Sequence, residues 1–129
     1  MSTLKVTTIQ DTSGGNASTS EQIAQGRAKV WVNFNGTGTV AIRDSFNVSS
    51  ITDVATGQYG VNIQNAMANA NYAVTTTDAH DQNVYLLMGN IRVRSDVTIT
   101  TTYFQVEWLT FSAGNFTDCE ECNAIVFGD

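Results

Sequence analysis

Apolar residues recur at every second position through much of the chain. Val30, Val32 and Phe34 share one side of an extended segment, with Trp31 and Asn33 on the other. Asn35-Gly36-Thr37-Gly38 supplies turn chemistry, and a return strand through Val40 and Ile42 runs on to Phe46 and Val48, so the pair reads as a hairpin. The same alternation aligns Tyr59, Val61 and Ile63, then Tyr72, Val74 and Thr76, then Phe104, Val106 and Trp108. Ser49 to Thr52 reads as extended and Asp53 to Gly57 as a turn. Ile91 to Arg94, Val97 to Thr101 and Ala124 to Phe127 complete the strands. Val84-Tyr85-Leu86-Leu87-Met88 is apolar on both faces, which suits an interior or interface strand. Gln64 to Asn71 lacks β-formers and holds Ala66, Met67, Ala68 and Ala70, which predicts an irregular or helical turn. Short strands at this spacing predict an all-β fold, an antiparallel, jelly-roll-like β-sandwich over residues 28–129.

Residues 1–27 follow a different pattern. Leu4, Val6 and Thr8 alternate weakly with Lys5, Thr7 and Ile9, and Asp11 to Ser20 is a run of turn residues. This predicts an extended N-terminal segment, a short strand and a tether, that buries little by itself and is either disordered or ordered by a neighbouring chain. Glu21 to Gln25 fits one helical turn with Ser20 as its N-cap and Gly26 as its stop.

Composition strengthens the β reading. Thr, Ser and Asn supply 39 of 129 residues while charged residues supply 14%, so the outer faces are filled by neutral polar side chains, many of them β-branched. A soluble helical protein would use Glu, Lys and Arg there. The net charge of −6 leaves six scattered cations, Lys5, Arg27, Lys29, Arg43, Arg92 and Arg94, which argues against nucleic acid as a partner. The opening Met1 to Lys5 lacks the apolar core of a secretion signal, and no apolar run approaches the roughly 20 residues of a membrane span. A soluble protein made in a cytoplasm, without membrane insertion, is expected.

Candidate chemistry is sparse. Cys119-Glu120-Glu121-Cys122 has the two-residue gap of thiolate pairs at zinc and in redox motifs, yet alone it is half a site. Its flanking acids would raise a thiol pKa, opposite to what a reactive thiolate needs. A disulfide between Cys119 and Cys122 is one reading; free structural cysteines and a metal shared between chains are the others. His80, with Asp81 and Gln82, lies in a polar loop predicted over Thr77 to Asn83. Asp44, Asp53, Asp96 and Glu107 have the chemistry for glycoside cleavage, but no spacing selects a pair. Most aromatics alternate in register with Val and Ile and read as core, whereas Tyr85 and Tyr103 fall outside the clearest faces and are candidates for exposure. No residue is assigned to catalysis, a cofactor or a metal.

The opening Thr3-Leu4-Lys5-Val6 to Ile9-Gln10-Asp11-Thr12-Ser13-Gly14-Gly15-Asn16 resembles the start of many phage tail-fibre and related virion proteins, especially of cyanophages. Trp31 to Gly38 with Ile42-Arg43, Phe46 to Asp53, and Ala66-Met67 to Asn71-Tyr72 resembles the domain that follows it there, the likeness weakening after about Thr77. The resemblance implies a non-enzymatic homotrimer within the virion, assembled in the host cytoplasm and in contact with other phage structural proteins. Leu4, Val6 and Ile9 would anchor it to the particle. His80, Asp81, Gln82, Tyr85 and Tyr103, in or near outer loops over Thr77 to Asn83 and Ser112 to Asn123, would meet a host surface glycan. The chain is short for a tail fibre, and the cysteine pair departs from the pattern. A capsid decoration or baseplate protein without receptor binding is therefore the alternative, with a polysaccharide-degrading tailspike-like enzyme third.

Overall fold

The computed structural model describes residues 1–79, 89–110 and 115–128. Among these, ten strands and one short helix form three antiparallel sheets. The smallest pairs β1 (Thr8–Ile9) with β2 (Ser18–Thr19). Asp11 organises the loop between them: its carboxylate accepts hydrogen bonds from the Ser13 hydroxyl and N–H, the Gly15 N–H and the Asn16 amide at 2.7 to 3.1 Å. These donors, the Ser13 hydroxyl first, hold the Asp11 carboxyl below its usual range.

Helix α1 (Ser20–Gly26) follows directly. The sequence points to Ser20 as its cap, whereas the structure uses Thr19. The Thr19 hydroxyl accepts from the Gln22 N–H at 3.1 Å, and the Gln22 side chain accepts from the Thr19 N–H at 2.9 Å. A cap at Ser20 would place Ile23 at the third helical position, where it cannot reciprocate. No residue of α1 is buried.

The sandwich takes up the rest. One sheet contains β3 (Val30–Asn35), β4 (Ala41–Phe46), β7 (Ala73–Ala79) and β10 (Glu121–Phe127), in the order β4-β3-β10-β7. The other contains β5 (Val48–Ala55), β6 (Gln58–Ile63), β8 (Gly89–Val93) and β9 (Tyr103–Thr110), in the order β5-β6-β9-β8. The predicted all-β antiparallel sandwich is the observed fold. Its core uses the inward sides read from the alternation: Val30, Val32 and Phe34, Tyr59, Val61 and Ile63, Phe104, Val106 and Trp108, closed by Ala124 and Val126. Burying each Val, Ile or Phe side chain contributes about 1.5–3 kcal/mol relative to leaving it in water. Edge-to-face rings, Phe34 on Tyr59 at 5.2 Å and Tyr72 on Phe104 at 6.2 Å, join elements across the core.

Several boundaries differ from the sequence reading. The return strand does not reach Val48. It stops at Phe46, and Val48 opens β5 in the opposite sheet. The corner is Asn47, with φ 58°, a left-handed conformation that asparagine tolerates better than most residues. The turn expected over Asp53 to Gly57 shrinks to Thr56-Gly57, because β5 pairs with β6 as far as Ala55. Gly57 has φ +65°, and a side chain there would collide with the Thr117 and Trp108 backbones. Thr77 to Ala79, expected in a loop, extend β7 along β10. Val97 to Thr101 form no strand; Arg94 folds back on Asp96, and a single bridge joins Thr100 to Tyr103. Gln64 to Asn71 is irregular, with Met67 buried.

The chain enters β3 and leaves β10 side by side, with the Lys29 N–H donating to the Val126 carbonyl at 2.9 Å. No helix among the described residues is long and apolar enough to cross a membrane.

Candidate functional site

The Asn47 corner builds a groove at this end of the sandwich. Its amide donates to the Lys29 and Asn65 carbonyls, and its side-chain oxygen accepts from the Asn65 N–H and amide, at 2.8 to 3.2 Å. The segment entering β3 and the segment leaving β6 are thereby fixed as facing walls. Between them lies a space of about 570 Å³, lined by Arg27 and Lys29 on one side, Phe46 and Asn47 at the corner, and Gln64 to Ala68 on the other. This volume falls in the range of small-molecule sites, about 300–1,000 Å³. No carboxylate is among its lining residues.

Phe46 points out because of a bulge. The register between β3 and β4 shifts between Asn33 and Phe34, so Ile42 packs on the core while Phe46 lies opposite Trp31 on the outer face. Phe46 is 54% exposed. Pairing extends the row across the sheet as Phe46, Trp31, Ile125 and Thr75, with half-exposed Phe127 nearby. The next row is polar: Asp44, Asn33, Asn123 and Thr77, with the Asn33 amide donating to Asn123 at 2.6 Å and to Glu121 at 3.2 Å. The sequence reading carries Phe46 along the same strand as Val48; the bulge and the corner that separate them depend on contacts beyond local alternation.

A second polar centre is largely buried, with Asp118 at its partly exposed edge. Cys119 and Cys122 are joined as a disulfide, their Cα atoms 5.9 Å apart, and both are fully buried. Beside them the Tyr59 hydroxyl lies 3.1 Å from the Gly36 carbonyl and 3.1 Å from the Asp118 carboxylate, and accepts from the Cys119 N–H at 3.3 Å. Burial first, and the Asp118 charge after it, push the Tyr59 phenol well above its usual range. Of the segment Ser112 to Asn123 expected as an outer loop, Glu121 to Asn123 are strand and Cys119 and Cys122 are core. This pair staples the β10 entry.

The remaining candidates are dispersed. Leu4, Val6 and Ile9 are exposed at 82%, 44% and 55%. Tyr103 is half-buried, with its ring over Gly60 and its hydroxyl accepting from the Gln105 amide. His80, Asp81, Gln82 and Tyr85, and the strand expected over Val84 to Met88, lie outside the described residues. Asp78, read as part of the His80 loop, instead accepts a 2.6 Å hydrogen bond from the Trp108 indole.

The acids weighed for glycoside cleavage are divided between the sheets. Asp44 accepts from the Ser45 N–H on β4, and Asp53 sits on the edge strand β5. Asp96 is held below the usual carboxylate range by its hydrogen bonds from Arg94. Glu107 is buried with the same guanidinium 4.0 Å away. Among the described residues no group of three or more His, Cys, Asp or Glu is placed to hold a metal.

Comparison of the chain with protein-family models, with curated proteins and with solved structures finds no match.

Proposed function

We propose that this chain is a structural protein of a bacteriophage particle, a trimeric fibre-like module held to the particle by residues 1–27 and offering its sandwich for attachment to a host surface. The observation that carries this reading is the division of labour along the chain. Residues 1–27 contribute nothing to the core, which begins at Val30, yet they display Leu4, Val6, Ile9 and Ile23 to solvent. A segment with an ordered turn, a capped helix and uncovered apolar side chains is suited to docking on another surface, where covering them would release water and contribute about 25 cal/mol per Å². The resemblance of Thr3 to Asn16 to the opening of virion proteins names that surface as the particle. The sandwich, whose outer faces carry neutral polar residues beside one apolar row at Phe46, Trp31 and Ile125, is the part left for neighbours and host.

Deleting residues 1–25 tests the division. The truncated chain is expected to keep a cooperative thermal transition, because every core side chain remains, and to be missing from purified particles. Normal incorporation of the truncated chain would overturn the anchoring role. Sedimentation of the full chain at micromolar concentration is expected to give the mass of three copies; a monomer there removes the trimer from the proposal.

A further inference from the structure

We infer that the groove at Phe46 binds a carboxylated saccharide, with Arg27 and Lys29 meeting the carboxylate, the Phe46 ring lying under a sugar face and the Gln64 and Asn65 amides meeting hydroxyls. This deepens the attachment reading by naming a ligand class, and it rests on that reading only for its biological purpose.

The charge pattern selects an anion. The chain holds twelve acids against six cations, yet this one lining gathers two cations and no acid. Their attraction for a carboxylate is therefore not cancelled by a neighbour on the groove wall, and an arginine fork adds a paired hydrogen bond that fits a planar carboxylate. The side chains beside the cations select a sugar. Phe46 leaves over half of its area in water, more than Trp31, Phe34 or Phe127 on the same sheet. An aromatic face of this kind packs against the axial C–H groups of a pyranose. Asn65 has already given its amide to Asn47 and retains its side-chain oxygen as an acceptor, while exposed Gln64 can donate and accept. Hydroxyls, which donate and accept together, match that mixture. Asn47, with its side-chain amide fully engaged, holds the two walls before any ligand arrives, so little ordering cost remains.

Other occupants fit less well. The exposed parts of Phe46, Ile125 and Phe127 with Trp31 offer on the order of 300 Å² of apolar surface, against about 800 Å² per partner in a stable protein interface. Two cations are too few for a nucleic-acid backbone, whose binding needs several neutralised phosphates.

The test uses the full chain in low salt, titrated with oligogalacturonate, its methyl ester, a neutral malto-oligosaccharide and oligoglutamate, and followed by calorimetry and amide chemical shifts. Saturable binding of oligogalacturonate is expected, with shifts centred on Phe46, Gln64 and Asn65 and affinity about tenfold or more below it for the ester and for oligoglutamate. The Arg27→Ala, Lys29→Ala double variant and Phe46→Ala are each expected to lower that affinity about tenfold or more with an unchanged thermal midpoint, since none of the three side chains is in the core. Equal affinity for acid and ester, equal or tighter binding of oligoglutamate, no binding of the acidic saccharide, or binding indifferent to both variants would each overturn the assignment. Particle incorporation separates the two readings. A double variant that incorporates normally but fails to bind bears on ligand contact alone, whereas the fate of the chain lacking residues 1–25, which keeps Arg27 and Lys29, bears on anchoring alone.

Discussion

The Tyr59 hydroxyl ties β6 to two segments of the opposite sheet: the β3–β4 turn through Gly36, and the approach to β10 through Asp118 and Cys119. Removing that oxygen leaves a buried carbonyl and a buried N–H short of a partner. Tyr59→Phe is therefore expected to cost about 1–3 kcal/mol, read as a lower urea midpoint at unchanged m-value. A midpoint equal to the parent's would mean that water replaces the phenol. Alternation along β6 identifies Tyr59 as inward-facing, but its partners lie 23 to 60 positions away, and no local pattern reports them. Asp78 teaches the same lesson. Beside His80 it reads as a solvated acid, whereas strand pairing carries it to the Trp108 indole. Phe46 is the converse case, an apolar residue on a plausible strand face that one bulge turns outward.

Helix α1 is tied to the molecule by its cap and by the chain on either side, not by buried area. Replacing Thr19 or Gln22 by Ala is expected to remove about 0.5–2 kcal/mol from the local helix and nothing from the sandwich. Amide exchange is the measurement: residues 22–26 should exchange faster in the variant while Val61 and Val106 keep their protection. A fall in sandwich protection would show α1 to be packed on the core. At this scale the sequence is a good guide to strand existence and a weaker guide to strand ends. The inward triplets of β3, β6 and β9 were legible, because a period of two holds wherever no bulge interrupts it; that of β10 was not, since Cys122 reads as part of an outer loop. The ends at Phe46, Ala55 and Ala79 depend on a left-handed asparagine, a tight glycine turn and a neighbouring strand, which are long-range or conformational facts.

For the whole molecule, burial of phenols sets the response to alkali. Burial pushes Tyr72 up to about 12 and Tyr59 further, both above the ordinary value near 10. A raised folded pKa means that the protonated form is favoured in the native state, so this stability is complete below about pH 10 and is lost as pH rises through 12. Phenolate absorbance should therefore lag in a native titration and then rise together with loss of tertiary fluorescence, whereas a titration complete near pH 10 with the fold intact would contradict the burial of these rings. Sheet order was not legible at all. The sandwich could be read from spacing, but the adjacency of its first and last strands comes from packing that pairs residues about ninety positions apart.

That adjacency decides how the molecule carries mechanical load. β3 receives the segment proposed as the tether and lies between β4 and β10, with antiparallel ladders on both edges. Tension applied between that segment and the far tip of the sandwich runs along the strand and shears both ladders, so their bonds resist together instead of unzipping in turn. A β-module hung by such a strand yields abruptly and at high force, which suits the proposed role of a tethered attachment module.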